Sequence, residues 1–177
     1  MKHLARLALA ALILTPSARA QVAGQPKPPL ATLTAGWTYL WADQGANYRS
    51  NLNGWFVRPT VYIGRGASIF FSNSNYYGAN AKGSLNSHGF TLGVAKQVFP
   101  TPHLKPSIFL EAGDVRASSK TITNQAPVAA GVGLSIPLAK WAALSITPAE
   151  YVFLYPHADW RNDFNAKAGL SFPLGHR

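Results

Sequence analysis

The sequence predicts an all-β protein, an eight-stranded antiparallel up-and-down transmembrane β-barrel. Apolar residues alternate with small or polar ones from Phe164 to Leu174 without a break. A period of two over about ten residues is typical of a membrane-spanning β-strand. Two further observations agree: the chain begins like an exported protein, and only 12% of its residues are charged.

The N-terminal segment is interpreted as a secretory signal peptide. Lys2 and Arg6 precede an apolar run at 7–14, and the small-residue ending Ala18-Arg19-Ala20 predicts cleavage before Gln21. The run is too short and too rich in alanine for a spanning helix. The predicted organisation is a signal peptide at 1–20, a flexible proline-rich lead-in at 21–31 and one barrel domain at 32–177.

The first four strands are predicted from alternation interrupted by turns. A bulge is expected at Pro59, because proline cannot donate a hydrogen bond to the ladder. The glycine-flanked turn 64–66 separates the second and third strands, and the polar segment 78–87 separates the third and fourth. Lys96 interrupts the apolar face of the fourth strand, but near the strand end it can extend its ammonium away from lipid. These strands are predicted at 33–41, 55–63, 67–74 and 89–98.

The last four strands are less uniform. Glu111 and Asp114 fall on opposite faces of the fifth, whereas the sixth alternates apolar residues with glycine, alanine and serine. The seventh changes phase near Pro148, which one extra residue in a bulge would explain. These strands are predicted at 107–116, 128–136, 141–155 and 164–174.

The predicted connections alternate in length. An even strand count lets the first strand pair with the last, which removes both free edges. Short periplasmic turns and longer outward loops are typical of this class of barrel. Short turns are predicted at 64–66, 99–105 and 137–140, and longer polar loops at 43–51, 78–87, 117–125 and 156–163.

The residue composition of the two strand faces indicates that the barrel wall faces lipid and not water. A water-exposed wall would be about a quarter to a third charged, but the non-apolar face here is mostly small or uncharged. Tryptophan and tyrosine favour membrane interfaces, although aromatics also fill protein cores. The predicted interface aromatics are Trp37, Trp41, Trp55, Trp141, Tyr151 and Tyr155.

Several stretches in this order resemble small outer-membrane β-barrel proteins of the OmpA-like transmembrane-domain type. They are Asn51-Leu52-Asn53-Gly54-Trp55, Ala130-Gly131-Val132-Gly133-Leu134, Ala149-Glu150-Tyr151, Asn162-Asp163-Phe164 and Gly169-Leu170-Ser171-Phe172. The resemblance implies a bacterial outer-membrane location and insertion by the barrel assembly machinery, for which a C-terminal aromatic is the usual signal. This chain departs from that pattern, because Pro173 to Arg177 follow its last aromatic.

Four charged residues are predicted to face the lumen: Arg58, Glu111, Glu150 and Lys167. An inward charge is costly unless it is paired, so we expect a buried network that fills and locks the barrel. The alternative is a polar path for a solute, although eight strands leave an interior that side chains nearly fill.

An enzymatic role is weighed at Ser72. Phe70-Phe71-Ser72-Asn73 resembles the motif of outer-membrane lipid A deacylases with its histidine replaced by phenylalanine. Without an adjacent base the hydroxyl is not activated, and His88 is the remaining candidate base. No histidines are spaced as metal ligands and there is no cysteine, so neither a metal nor a cofactor is predicted.

The sequence therefore predicts a monomeric, non-enzymatic outer-membrane barrel with a structural or interaction role at the cell surface. A narrow pore or small-ligand binder is the first alternative, and a lipid A-modifying enzyme is the second. The 16 basic residues exceed the 6 acidic ones but are scattered singly. That distribution disfavours nucleic acid as a partner. The expected partners are outer-membrane lipid, including anionic lipopolysaccharide headgroups, and the barrel assembly machinery.

Overall fold

Eight antiparallel strands form one closed barrel in the computed structural model, which describes residues 29–43, 48–64, 66–80, 83–118, 122–155 and 161–176. Strands adjacent in sequence pair with each other, and β1 pairs with β8, so the predicted fold is confirmed. Within those ranges no helix is long and apolar enough to cross a membrane. The strands are β1 Pro29–Asp43, β2 Arg49–Gly64, β3 Ala67–Asn80, β4 Gly83–Gln97, β5 Lys105–Ser118, β6 Ile122–Ala139, β7 Ala142–Tyr155 and β8 Arg161–His176.

The first strand begins earlier than the sequence predicts. β1 starts at Pro29, so the last three residues of the predicted lead-in at 21–31 are strand residues. Pro29 stands opposite His176 as the first residue of its strand, a position where proline is tolerated. The predicted signal peptide at 1–20 lies outside the described residues.

The closed sheet is strongly staggered. Following directly opposed residues once around the barrel, a path that starts at Ala31 returns to β1 at Trp41, ten residues further along. Stagger and strand tilt are linked in closed barrels, where the tilt is about 35–45°. Closure also leaves no strand edge unpaired, which a lipid environment requires. We call the end of the barrel that carries Pro29 and His176 the lower end.

The seam between β1 and β8 contains a glycine pair. Gly36 stands directly opposite Gly169. A Cβ atom on Gly36 would collide with the Ala168 carbonyl, and one on Gly169 would collide with the Ala35 carbonyl. The two strands therefore approach and curve here in a way that larger residues would prevent.

Side chains alternate between the interior and the outer wall along the described strands. Large apolar side chains stand exposed on that wall, whereas a barrel that faces water would bury them. A water-soluble barrel therefore does not fit this outer wall. The exposed apolar band includes Leu33, Trp37, Val61, Ile69, Phe71, Phe90, Leu92, Ile108, Val128, Val132, Leu170 and Leu174.

Above this band the wall becomes polar while the strands continue. Residues 81–82 alone separate β3 from β4, and residues 119–121 separate β5 from β6. The longer loops predicted at 78–87 and 117–125 are therefore wrong, because residues 78–80, 83–87, 117–118 and 122–125 belong to paired strands. The predicted contrast in loop length is also wrong, since the lower-end connection 98–104 is longer than any upper one. We call the outward polar residues of this upper zone the polar collar: Asn51, Asn53, Asn73, Asn75, Asn86, His88, Asp114, Arg116, Asn124 and Asn162.

Two prolines behave differently in the ladder. Around Pro59 the register between β2 and β3 is unchanged, since Val57 faces Asn73 and Thr60 faces Phe70. The bulge predicted at Pro59 is therefore wrong. The proline interrupts the pairing without adding a residue.

The bulge predicted near Pro148 is present. On β7, Thr147 faces Lys167 of β8 and Glu150 faces Asn165, so Pro148 and Ala149 together oppose one residue of β8. Such an insertion re-aims the side chains beyond it. It lets Glu150 point into the lumen although it is three residues from inward-facing Thr147.

Candidate functional site

The structure brings together the four charged side chains that were expected in the lumen. Lys167 Nζ lies 2.7 Å from Glu150 Oε2 and 3.6 Å from Glu111 Oε1. Arg58 Nη2 lies 3.2 Å from the second oxygen of Glu111, Oε2. Two charges of each sign thus form a continuous chain of ion pairs across the interior, contributed by β2, β5, β7 and β8. Three of the four side chains are almost fully buried.

Neutral polar side chains extend this network. Asn165 Nδ2 donates to Glu150 Oε1 at 3.2 Å and to Tyr76 Oη at 2.9 Å. Thr38 Oγ1 donates to Asn165 Oδ1 at 2.7 Å. Sequence reasoning missed these three residues, although Asn165 lies two residues before Lys167 on the same face of β8. Hydrogen bonds to charged groups in a dry interior are among the stronger ones in proteins.

Aromatic rings lie against the arginine of the network. The guanidinium carbon of Arg58 is 4.4 Å from the ring centre of Phe70 and 5.3 Å from that of Phe109. The two rings meet edge to face, with their centres 5.9 Å apart. Cation–π attraction stabilises such an arrangement and compensates Arg58 for lost hydration.

An apolar cluster occupies another part of the lumen, toward the upper end. Its buried members are Leu40, Ala42, Leu52, Tyr76 and Leu85, with the partly buried Ala117 packed against them. Tyr76 belongs to both layers, since its ring packs in this cluster while its hydroxyl accepts a hydrogen bond from Asn165. Buried side chains therefore follow one another along the described lumen, from this cluster through the charged layer to the rings around Arg58.

Ser72 and His88 point to opposite sides of the wall. Ser72 faces the lumen at 1% exposure, and its hydroxyl has no hydrogen-bond partner among the described residues. His88 lies on the outer wall, where its Nδ1 contacts the side-chain oxygen of Asn75. The sheet lies between the two side chains, so His88 cannot act as the base for Ser72. The described residues also contain no group of three metal-ligating side chains.

The predicted interface aromatics lie on the outer wall wherever their side chains are described. Trp37, Trp41 and Trp55 are 41–49% exposed, and Trp141 near the lower end is 68% exposed. Tyr151 is partly buried, because it packs edge to face against Phe164 with ring centres 4.9 Å apart. Tyr155 ends β7, and its side chain lies outside what the structure describes. A filled core does not account for the exposed tryptophans.

No protein-family model matches the chain, and no curated protein matches it in sequence. Solved structures do share its fold. Neisserial surface protein A (NspA) has a TM-score of 0.70 at 10% identity, with 81% of this chain and 97% of that one covered. OprG, an outer membrane protein from Pseudomonas aeruginosa, has a TM-score of 0.60 at 9% identity, with 85% and 98% covered.

A third similar structure is Ail, the attachment invasion locus protein of Yersinia pestis. Its TM-score is 0.55 at 12% identity, and the alignment covers 82% of this chain and 99% of Ail. The resemblance predicted from the sequence is therefore confirmed for the fold, and the predicted bacterial outer-membrane location agrees with it. This chain has the fold of small bacterial outer-membrane barrels, with an apolar outer wall and a charged layer at the centre of its lumen.

Proposed function

We propose that the protein is a non-enzymatic outer-membrane barrel whose role at the cell surface is structural or interactive. The observation that carries this proposal is the set of buried side chains that crosses the described lumen. The ion pairs of Glu111 with Arg58 and Lys167 cross the interior, and the apolar cluster around Leu52 occupies the space toward the upper end. Interaction then falls to the outer wall and the ends of the barrel.

A pore is the weaker alternative. A solute path through this layer would have to separate buried ion pairs in a low-dielectric interior, which is strongly unfavourable. Eight strands enclose only enough space for side chains or one small ligand. The balanced charges are better explained as a structural element of the lumen, since their ion pairs connect β2, β5, β7 and β8.

The proposed partners are outer-membrane lipids with anionic headgroups, lipopolysaccharide among them. The chain carries 16 basic residues against 6 acidic ones, and cationic side chains attract phosphorylated headgroups near a membrane surface. One solved structure of Ail is a complex with sucrose octasulfate, a heparin analogue and thus a polyanion. Insertion by the barrel assembly machinery and a monomeric state stay predictions.

Two measurements on purified barrel test the proposal. Planar-bilayer recordings should show no steady conductance, with correct folding established by a difference in gel migration between unboiled and boiled samples. Incubation with lipid A should leave its acyl chains intact. Stable single-channel steps would favour the pore, and acyl release that disappears in Ser72→Ala would favour the enzyme.

A further inference from the structure

A pocket of about 250 Å³ opens on the outer wall beside the bulge of β7. It exists because Pro148 and Ala149 have left the ladder with β8, so the two strands do not meet there as they do elsewhere. Small alanines and aromatic rings are among the residues that line it. The residues that matter are Tyr39, Trp41, Pro148, Ala149, Phe164 and Ala166, and we call them the wall groove.

The wall groove lies at the upper edge of the apolar band. Trp41 and Phe164 pack together with ring centres 6.0 Å apart. The next outward residues on their strands are Asp43 and Asn162, so the wall becomes polar directly above the groove. This is the depth at which the hydrocarbon of a membrane meets the lipid headgroups.

Arg49 reaches over the top of the groove. Its guanidinium carbon lies 4.1 Å from the ring centre of Trp41, and Nη1 donates to the Asn162 carbonyl at 3.2 Å. Nη2 is 3.9 Å from Asp43 Oδ2, too far for a hydrogen bond, and 30% of the Arg49 side chain is exposed. Arginine has five N–H donors in a planar fork that matches phosphate oxygens, so this side chain has donors to offer a ligand.

We propose that the wall groove binds one acyl chain of a phosphorylated saccharide lipid, whose phosphate contacts Arg49. The pocket is smaller than the roughly 300–1,000 Å³ of drug-sized ligand sites, which suits a single chain. The inference rests on the proposed outer-membrane function and specifies its lipid partner.

The asparagines of the polar collar point to a saccharide headgroup, because Asn51 and Asn53 of β2 stand directly beside the groove residues Trp41 and Tyr39. From Trp55 to Arg49, β2 presents only Asn53 and Asn51 outward between them, over about 20 Å of strand. Amide side chains offer both donors and acceptors, as sugar hydroxyls require. Because strands in closed barrels tilt by about 35–45°, this stretch of β2 rises roughly 15 Å along the barrel axis, which exceeds the roughly 5–8 Å of a glycerophospholipid headgroup layer.

The test uses native mass spectrometry of the intact barrel with lipid A as the probe, and with phosphatidylglycerol as the competing anionic lipid. Ala166→Phe fills the groove and should weaken lipid A retention about tenfold or more, because the acyl chain loses its van der Waals contacts with the groove walls. Ala112→Phe is the matched control, since Ala112 is an exposed outward alanine on β5, away from the groove. Arg49→Gln should cost about tenfold, as for a lost charge-assisted hydrogen bond.

Equal retention in Ala166→Phe and Ala112→Phe would overturn the groove, and unchanged retention in Arg49→Gln would overturn the phosphate contact. Phosphatidylglycerol bound as tightly as lipid A would overturn the saccharide assignment. If Ala166→Phe fails to fold by gel migration, Ala149→Phe replaces it. Conductance and acyl release are recorded on the same samples, so a failed lipid site is distinguished from a failed proposed function.

Discussion

Glu111 is the side chain that joins the two cations of the lumen, one on each carboxylate oxygen. We predict that Glu111→Ala lowers the free energy of unfolding by roughly 3–5 kcal/mol, as expected when one partner of a buried ion pair is removed. Arg58 would lose the only carboxylate with which the structure pairs it, whereas Lys167 would keep Glu150. The measurement is the unfolding midpoint in detergent, followed by gel migration and circular dichroism.

Two double variants provide the control for this prediction. Adding Arg58→Met to Glu111→Ala removes the orphaned charge and should cost little more. Adding Lys167→Met instead leaves Glu150 without a cation and should lower the midpoint again. Equal midpoints for the two double variants would contradict the geometry of the network.

The charged members of the lumen layer were predictable because burying a charge constrains the sequence strongly. Arg58, Glu111, Glu150 and Lys167 each fall on the inward face of an alternating strand, so that pairing was the physical expectation. Asn165, Thr38 and Tyr76 follow the same parity, but neutral polar residues occur on either side of a barrel wall. Nothing in their identity indicated that they contact Glu150 or one another.

Strand ends were harder to predict than strands. The segments 78–87 and 117–125 are rich in asparagine, serine and other polar residues, a composition that suggests loops. In this barrel the strands continue above the apolar band, and their outward residues become polar because they face water or headgroups. The polar composition of these segments therefore indicates the height at which the outer wall passes from hydrocarbon to headgroups or water. The hydrogen-bonded strands continue beyond that height.

A pair of substitutions on β8 tests where the wall faces lipid. Leu170→Arg places a charge in the apolar band and should cost about 2–4 kcal/mol, whereas Asn162→Arg in the polar collar should cost about 0–1 kcal/mol. Both residues point outward on the same strand, so the two variants introduce the same side chain on the same face of β8 at two different heights. Similar unfolding midpoints for the two variants in lipid would contradict the assignment of the band and the collar.

At the scale of the whole molecule, closure was the most predictable feature. Eight alternating segments have no other way to satisfy every strand edge in lipid. The wall groove was not predictable, because it depends on which β8 residue stands beside the β7 bulge. The phase change near Pro148 revealed an extra residue, but only the register shows that Ala166 faces it and that Trp41 and Phe164 flank the gap.

The pairing of Pro29 with His176 places the start of β1 beside the end of β8, so the same strands can be connected in a different order. The ring of strand pairings has no beginning, so the break between residues 176 and 29 is only one of several places where it can be interrupted. We predict that a circular permutant, joined from residue 176 to residue 29 by a short linker and opened within 98–104, folds to a barrel with a similar unfolding midpoint. The joined ends and the new termini then all lie at the lower end, and every strand stays whole. A permutant opened at Ser72, inside β3, should lose the gel-migration difference, because it creates two frayed half-strands where the barrel needs one continuous strand.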